Sequence, residues 1–324
     1  MINCAIVGLG RWGRNLVEAA AGSARLKVSR AVETDLGRSR DFCTVHRLDL
    51  TDALDAVLAD PAIDAVLLAT PHSLHMAQVI ASAAARKQVF CEKPLALKRD
   101  HAMRMFEACR TAGVVLAVGH NRRFWPSMIA LRGIAGSGEL GILLHVEGHN
   151  SNENSEKVTG GWRLSPEESP GGGLTGAGLH VLDAFVSLLG PARQAYARFN
   201  SRESGPPPRD SAMVALDFVN GVTGLLATVR ATPLYWRVHL FGTQGSAEVL
   251  GETTLVLRKS GRPPQTMQFE AINVLSAELD AFADAVAGKQ PFPVPENDVL
   301  ATLSAFEAAL ASMQQGSPVN CDDR

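Results

Sequence analysis

A glycine motif near the start of the chain restricts the folds that the chain can adopt. Gly8-Leu9-Gly10-Arg11-Trp12-Gly13 follows the apolar run Cys4 to Val7 and has the spacing G-x-G-x-x-G. Between a strand and a helix, such glycines permit a tight turn, backbone approach to a pyrophosphate and close contact of helix with strand. Unpaired N–H groups and the helix dipole then hold the anion. The motif therefore predicts a dinucleotide site on a parallel sheet.

Residues 1–120 alternate short apolar runs with amphipathic stretches, as repeated βα units around a doubly wound parallel sheet do. Strands are predicted at Cys4 to Val7, Leu26 to Val32, Asp64 to Ala69, Gln88 to Cys91 and Val114 to Val118. Helices are predicted at Trp12 to Ala21, Ser73 to Arg86 and Asp100 to Ala112, with Ser73 and Asp100 as N-caps. We interpret this part as a dinucleotide-binding Rossmann domain.

The character of the chain changes after residue 120, where apolar runs follow one another with only turns between them. These runs are Ile142 to Gly148, Ser211 to Phe218, Val222 to Arg230, Trp236 to Gly242 and Thr254 to Arg258. They predict an open, mainly antiparallel sheet, with Asn220-Gly221 as a two-residue hairpin turn. Helices are predicted at Thr175 to Leu189, Leu275 to Ala287 and Asn297 to Gln314, the last two packing back on the earlier domains. Residues 121–324 are interpreted as a second, α/β domain, the substrate domain.

Two polar segments are predicted to be loops. The segment from Asn150 to Gly173 is long for a connection inside a compact domain, so we expect it to be functional and its side chains up to Pro170 to carry specificity. Ser204 to Arg209 contains three consecutive prolines and is expected to lie on the surface.

Charge and composition limit the classes of partner and compartment. Lys and Arg total 31 against 33 Asp and Glu, so the net charge of −2 gives no field for nucleic acid or an anionic membrane. This favours a small-molecule ligand. No apolar run approaches the ~18 residues that cross a bilayer. The first residues lack the basic region and long apolar segment of a signal peptide, so none is expected. The five widely spaced cysteines are expected to be reduced, in a cytoplasmic protein.

Four histidines do not form a convincing set of metal ligands, so no metal is assigned. They are His72, His120, His145 and His149.

Glu33 lies 20 residues beyond Gly13, at the end of the second predicted strand. A carboxylate there can accept hydrogen bonds from both ribose hydroxyls of adenosine, which favours NAD over NADP. Asp35 is a neighbouring alternative, and Arg38 or Arg40 could still accommodate the 2′-phosphate of NADP. The competing interpretation of Glu33 is a solvated acidic turn.

Lys93 follows the strand Gln88 to Cys91, so it is expected at the carboxyl edge of the sheet, where such folds bind ligands. A cation there can hydrogen-bond a substrate oxygen and stabilise the alkoxide-like charge that develops as hydride leaves carbon. The competing interpretation is a surface lysine in a turn.

An ordered set of motifs along nearly the whole chain resembles the glucose-fructose oxidoreductase/inositol dehydrogenase/MocA family. The motifs are Gly8 to Gly13, Thr70-Pro71 with His75, Glu92-Lys93-Pro94, Asn121-Arg122-Arg123-Phe124, Gly171-Gly172-Gly173, Gly178-x-His180-x-x-Asp183 and Gly242-Thr243-Gln244-Gly245-Ser246. The resemblance implies NAD or NADP chemistry on sugars, cyclitols or related polyols. It also implies substrate bound between a Rossmann domain and an α/β domain, and a homodimer or homotetramer formed through the open sheet.

The resemblance also assigns roles to residues. Lys93 would be the active-site lysine and His180 the histidine that faces substrate. Thr70, Pro71, His75, Glu92 and Asn121 would lie along the cofactor, while Arg123, Trp162 and Arg163 would lie near the mouth of the pocket.

His180 suits a general base, because imidazole titrates near neutral pH and the oxidised hydroxyl must lose a proton. The competing interpretation is a histidine satisfied on an apolar helix. Many family dehydrogenases carry Asp four residues earlier, where this chain has Gly176. The usual proton relay therefore lacks its carboxylate, although Asp183 could reach the same face.

The pair Arg122 and Arg123 allows two interpretations: a fork for a substrate carboxylate, or ion pairs that fix the domain junction. At least one of them is expected to be structural.

Three functions are compatible with these features. The first is reversible hydride transfer between NAD(H) and a secondary alcohol. The second is a glycoside hydrolase or lyase that uses bound NAD transiently within one cycle, and the third is a non-catalytic dinucleotide sensor. Retention of Lys93 and His180 counts against the sensor.

Overall fold

The structure is a computed structural model that describes residues 1–152, 161–202 and 208–321. Its contacts divide the chain into two compact units. The first contains Met1–Asn121 and Asn273–Glu296, and the second contains Arg122–Ile272 and Asn297–Arg324.

The first unit is built on a six-stranded parallel sheet with the strand order β3-β2-β1-β4-β5-β6. The strands are β1 Ile2–Val7, β2 Leu26–Val32, β3 Asp49–Thr51, β4 Ala65–Leu68, β5 Gln88–Glu92 and β6 Leu116–Gly119. The helices that connect them are α1 Arg11–Ala20, α2 Leu36–His46, α3 Leu54–Ala59, α4 His72–Ala84 and α5 Arg99–Ala112. All residues of β4 are buried, as expected for a strand covered on both faces. This confirms the predicted Rossmann fold.

The second unit carries a nine-stranded sheet with the order β14-β13-β12-β11-β7-β10-β9-β8-β15. Its strands are β7 Leu143–Asn152, β8 Ala192–Ser201, β9 Asp210–Phe218, β10 Thr223–Arg230, β11 Tyr235–Gly242, β12 Gly245–Leu250, β13 Thr254–Lys259, β14 Gln265–Gln268 and β15 Val319–Asn320. The strands β7 and β10 pair in parallel and the other pairs are antiparallel. The predicted open, mainly antiparallel sheet is thereby confirmed.

Helices cover one face of this sheet. They are α6 Pro126–Gly136, α7 Leu179–Leu189 and α9 Glu296–Gln315. Gly148 of β7 permits α7 to approach closely, because an added Cβ would lie 2.3 Å from Val181 and 2.8 Å from Phe185.

Helix α8, Val274–Val286, belongs to the first unit. Leu279 and Phe282 are fully buried in the same apolar cluster as Leu16 of α1 and Leu26 of β2. The ring of Phe282 meets that of Phe90 edge to face, at 5.9 Å between centroids. A late segment of the chain thus completes the core of the first unit.

Several local predictions were wrong. The N-cap positions are Pro71 for α4 and Lys98 for α5, so Ser73 and Asp100 lie inside the first turns. The hairpin between β9 and β10 has three loop residues instead of two, because Phe218 donates to the Val222 carbonyl and Gly221 alone takes a positive φ, +86°. The strands β3, β8, β12, β14 and β15 were not predicted.

The predicted loops lie only partly within the described residues. Asn150 to Asn152 continue β7, residues 161–173 form turns, and residues 153–160 fall outside the described part. Most of the proline-rich segment, residues 204–207, also falls outside it.

Cys4, Cys43, Cys91 and Cys109 are buried free thiols, and Cys321 is also buried. Burial raises the pKa of Cys4 to about 12 and that of Cys109 to about 11. Among the helices that the structure describes, none has the length and apolar character needed to cross a membrane.

Candidate active site

The glycine motif forms the turn between β1 and α1, and Gly8 and Gly13 each have a steric reason. Gly8 has φ +91°, and an added Cβ would lie 2.9 Å from the Ala69 carbonyl oxygen. A Cβ on Gly13 would lie 1.8 Å from the Gly8 carbonyl oxygen, so only glycine lets the helix approach the turn. A Cβ on Gly10 meets nothing within 4 Å. The loop is therefore tightly packed at Gly8 and Gly13, and it is open at Gly10.

The N-terminus of α1 fits an anionic ligand. Its N-cap is Gly10, with no side-chain cap, and its first turn carries no acidic residue. The first N–H groups of a helix have no intrahelical acceptor and carry its positive dipole end. These donors, facing the space at Gly10, are suited to the pyrophosphate of a dinucleotide.

Glu33 follows β2 and reaches the glycine loop. Its Oε2 accepts from the Leu9 N–H at 2.7 Å, and its Oε1 accepts from the Thr34 N–H at 2.8 Å. The Thr34 hydroxyl also donates to Oε1, at 3.1 Å. A carboxylate has about four acceptor positions, so Oε2, with one hydrogen bond, can also accept from a ribose hydroxyl. Asp35 is engaged elsewhere, because it caps α2 by accepting from the Arg38 N–H at 3.0 Å. The contacts favour Glu33 over Asp35 as the ribose ligand.

Lys93 lies directly after β5, at the carboxyl edge of the parallel sheet. It is half-buried, whereas Glu92 before it is only 7% exposed. The Lys93-Pro94 peptide bond is cis. The sheet thus places Lys93 where parallel sheets bind their ligands, as the sequence predicted.

His75 is fully buried on α4. Its Nδ1 lies 3.0 Å from the Pro94 carbonyl oxygen and 3.2 Å from that of Leu95, while its Nε2 lies 3.1 Å from the Thr70 carbonyl oxygen. These contacts join the turn after β4 to the turn that carries Lys93. The His75 ring therefore links these two turns through backbone carbonyls, and its predicted contact with the cofactor stays a prediction.

Three other residues predicted along the cofactor lie at the carboxyl ends of β4 and β6. The Thr70 hydroxyl donates to Gln78 Oε1 at 2.6 Å, and Pro71 precedes α4. Asn121 begins a 3-10 turn, Asn121–Phe124, just after β6. Its Oδ1 is buried and accepts no hydrogen bond from the described residues. A polar atom left in this state suits a hydrogen-bonding ligand.

His180 is the second residue of α7 and is 7% exposed. The five residues before α7, Leu174–Gly178, form a π-helical turn. Asn150 of β7 holds this turn, because its Nδ2 donates to the Ala177 carbonyl at 2.9 Å. Turns of this kind are frequent at functional sites. Sequence reasoning did not identify Asn150, a buried polar residue in a strand that gives no local signal of its partner.

The triple glycine ahead of the π turn rests on a buried ion pair. Asp210 accepts from the Gly173 N–H at 3.1 Å and from Arg230 Nε at 2.8 Å. A Cβ on Gly172 would lie 2.6 Å from Asp210 Oδ2. Asp210 thus packs against the triple glycine and holds the segment that leads to His180.

Asp183 lies in a buried ion pair with Arg123. It is 2% exposed, and it accepts from Arg123 Nε at 2.9 Å and from Arg123 Nη2 at 2.7 Å. Gly176 has room for a side chain, since an added Cβ meets no atom within 4 Å.

Arg123 is a structural residue, which corrects its predicted place at the mouth of the pocket. Its guanidinium pairs with Asp183 and also donates through Nη1 to Asp298 at 2.6 Å. Burial by itself lowers the pKa of Arg123, but Asp183 and Asp298 outweigh it and hold the pKa above its usual value. With two carboxylates already bound, Arg123 has no fork left for a ligand.

Trp162 and Arg163 form a 3-10 turn with Leu164, next to residues outside the described part. The Arg163 guanidinium lies over the Trp162 ring, 4.2 Å from its centroid. Both side chains are half-buried. In the part of the chain that the structure describes, no group of three or more His, Cys, Asp or Glu side chains is arranged to hold a metal.

A glycine loop, an acid after the second strand and a lysine on one parallel sheet, followed by a unit with a large open sheet, define a nicotinamide-dependent oxidoreductase. The chain belongs to the GFO/IDH/MocA family. Residues 2–120 match the model of the oxidoreductase family with an NAD-binding Rossmann fold, and residues 128–248 match the GFO/IDH/MocA C-terminal domain.

Relatives match over most of their length. The scyllo-inositol 2-dehydrogenase (NAD(+)) of Bacillus subtilis is 27% identical, with 99% of this chain and 96% of the relative covered. The 2,7-anhydro-N-acetylneuraminate hydratase of Escherichia coli is 29% identical over 81% of this chain and 71% of the relative. The structure of levoglucosan dehydrogenase with NADH and levoglucosan has a TM-score of 0.90, with 21% identity and 100% of both chains covered.

Proposed function

We propose that the protein transfers hydride between NAD(H) and a secondary alcohol carbon of a sugar, cyclitol or related polyol. The observation that carries the proposal is the half-buried Lys93 at the carboxyl end of β5, on the sheet whose first strand ends in the glycine loop. The names of a scyllo-inositol dehydrogenase and a levoglucosan dehydrogenase among the similar proteins support this class of substrate.

The first unit holds the dinucleotide in this proposal. The N–H groups at the start of α1 bind the pyrophosphate, and Glu33 accepts from the adenosine ribose. Thr70, Pro71, Glu92 and Asn121 lie along the cofactor, and His75 keeps the turns around Lys93 in place. NADP is the secondary possibility, through Arg38 or Arg40.

Two side chains, Lys93 and His180, carry the chemical step in this proposal. Bound NAD supplies the acceptor for the hydride. Lys93 donates a hydrogen bond to the substrate oxygen and stabilises the negative charge that develops on it. His180 takes the hydroxyl proton through its imidazole. Trp162 and Arg163 contribute to substrate selection.

The test is absorbance at 340 nm, where reduced nicotinamide absorbs, with NAD or NADP and a panel of sugars, cyclitols and sugar acids. A substrate-dependent rise with NAD is the expected result. No rise with any member of a broad panel, in a protein that binds NADH, would contradict net dehydrogenation.

One observation favours a second function. Gly176 leaves the family relay without its carboxylate, and one similar protein is named a hydratase, a reaction with no net oxidation. An enzyme that oxidises and re-reduces its substrate within one cycle would form product without change at 340 nm. It would also retain its nucleotide through gel filtration.

We further propose a cytoplasmic homodimer or homotetramer that assembles through the open sheet. Apolar side chains on its strands are exposed, namely Leu144, Met213, Leu225 and Tyr235. The buried free thiols of Cys4, Cys43, Cys91 and Cys109 agree with a reducing compartment. Light scattering on the eluted protein measures the oligomeric state.

A further inference from the structure

Arg122 differs from its neighbour Arg123 in having no acidic partner. It lies in the 3-10 turn Asn121–Phe124, and no carboxylate of the described residues comes within 4 Å of its guanidinium. Two indole rings flank it instead. Its Cζ lies 4.1 Å from the ring centroid of Trp236 and 4.9 Å from that of Trp125.

The guanidinium is partly removed from water without compensation by an anion. Arg122 as a residue is half-buried, but its Nη1 is fully buried and donates to no described acceptor. Burial lowers the pKa of Arg122 to about 9, so the group still carries its charge at neutral pH. The cation–π contacts offset only part of the cost of desolvation. A buried cation that lacks an acceptor is uncommon in proteins and suits an anionic ligand.

The cation lies on the same face of the second-unit sheet as the helix of His180. Trp236 of β11 is buried and stands opposite Asn150 of β7 in the strand register. Asn150 in turn binds the carbonyl of Ala177, three residues before His180. The Trp236 ring that carries Arg122 therefore neighbours the residue that anchors the start of α7.

The acidic side chains near Arg122 are not bound to it, which leaves its guanidinium able to bind an anion. Arg123 takes both nearby carboxylates, Asp183 and Asp298. Glu252 follows β12 and helps to hold α6 through its carbonyl, which accepts from the Ser127 N–H at 3.2 Å. Its carboxylate makes no ion pair with Arg122, and its Oε1 is also buried without a hydrogen bond from the described residues.

We propose that Arg122, clamped between Trp125 and Trp236, is a binding subsite for a carboxylate on the substrate. The substrate class would then be acidic polyols, such as uronic or aldonic acids, rather than neutral sugars. The planar guanidinium can bind a carboxylate through two parallel hydrogen bonds, and the indole rings fix the plane of that fork. This inference rests on the proposed function, since it names the substrate of the same site.

Ligand binding tests the subsite without any turnover. Three sugar acids, D-glucuronate, D-galacturonate and D-gluconate, are each titrated against the corresponding neutral amide at pH 7.5. Calorimetry gives the affinity, and the intrinsic fluorescence, which includes the two flanking tryptophans, gives an independent binding signal. We expect at least one acid to bind at least about tenfold more tightly than its amide, because the amide keeps the shape but loses the charge-assisted bonds.

Variants locate the interaction. Arg122→Gln should abolish the preference for the acid, and Arg122→Lys should reduce it because the fork is lost. Arg198→Gln, at an exposed position on β8 of the same unit, is the matched control and should keep it. An equal affinity for every acid and its amide overturns the inference, as does an acid preference that survives Arg122→Gln. If Arg122→Gln does not fold, the wild-type comparison and Arg122→Lys still decide.

The two proposals can fail separately. Lys93→Met should retain the acid preference, because binding does not need the chemical step. Acid binding without oxidation of any acid would sink the dehydrogenase proposal and leave the subsite intact. Oxidation of neutral polyols with no preference for acids would support the dehydrogenase proposal and overturn the subsite.

Discussion

At the scale of single residues, the site depends on a few residues that another residue of similar size could not replace. Lys93 supplies a positive charge, Glu33 supplies acceptors, and Gly13 supplies the absence of a side chain. Each can be tested by a substitution that keeps the rest of the site.

Lys93→Met keeps the length of the side chain and removes its charge. We expect kcat/KM to fall by about 100-fold or more, as for the loss of a donor to a developing oxyanion. NADH affinity should stay within about twofold. Lys98→Met, at an exposed position five residues later, is the control and should behave as wild type. Unchanged turnover in Lys93→Met would remove the assigned role.

Gly13→Ala should disturb the fold of the loop, because its Cβ would lie 1.8 Å from the Gly8 carbonyl oxygen. We expect a lower Tm and weaker NADH binding. Gly10→Ala meets no protein atom within 4 Å, so its Tm should stay close to wild type while NADH affinity falls. Thermal unfolding and NADH fluorescence titration separate the two effects. A normal Tm for Gly13→Ala would contradict the steric argument.

At the scale of elements, two features follow from how strands and helices meet. The π turn Leu174–Gly178 places His180 at the start of α7, and the open sheet brings partly buried histidines next to charged neighbours. Both features lead to predictions about pH.

Gly176→Asp should restore the missing relay carboxylate, since an added Cβ at this position has room. An anionic neighbour favours the protonated imidazole, so the acid limb of the kcat/KM profile for oxidation should move to higher pH by roughly one unit. Gly176→Asn has the same shape without the charge and should leave the limb in place. Identical profiles for the two variants would show that position 176 does not face the base.

Burial lowers the pKa of both His149 and His239 from the model-compound value of 6.5; at His239 it outweighs the effect of Glu248, which raises the pKa. The folded state thus binds fewer protons than the unfolded chain below that value. The stability contributed by the neutral rings is present above pH 6.5 and is lost as pH falls through the lowered values. His239→Gln should therefore flatten the decline in unfolding free energy between pH 7 and 5. The same slope in His239→Gln and in the control His101→Gln would contradict this.

At the scale of the whole molecule, each unit is completed by a segment that is distant in sequence. Helix α8 fills the core of the first unit, and α9 supplies Asp298 to the buried pair in the second. Each unit therefore contains a segment from late in the chain and is not built from one continuous stretch of sequence.

Phe282→Ala should test this arrangement, because Phe282 is fully buried against Phe90. We expect a loss of about 3–5 kcal/mol in unfolding free energy and weaker NADH binding, although the substitution lies far along the chain from the glycine loop. Phe292→Ala, at a partly buried position on the border of the same cluster, should cost less. Denaturant unfolding measures both. Equal, small losses would mean that α8 is not part of this core.

The sequence by itself determined the features that are local. Glycine spacing after an apolar run, the acid 20 residues on and the lysine after the fourth predicted strand identified the first unit, because each is governed by a turn or a strand end. Alternation of apolar residues identified most central strands of the second sheet. Edge strands such as β14 and β15 were missed because few of their residues are buried, so their pattern is weak.

The tertiary structure decided what long-range contacts govern. Arg122 and Arg123 are adjacent and chemically identical, so no local pattern distinguishes them. Asp183, 60 residues away, and Asp298, 175 residues away, both pair with Arg123, and two indole rings leave Arg122 available. The partner of a charged side chain depends on which distant side chains the fold brings close to it in space. The spacing of residues along the sequence does not give that distance.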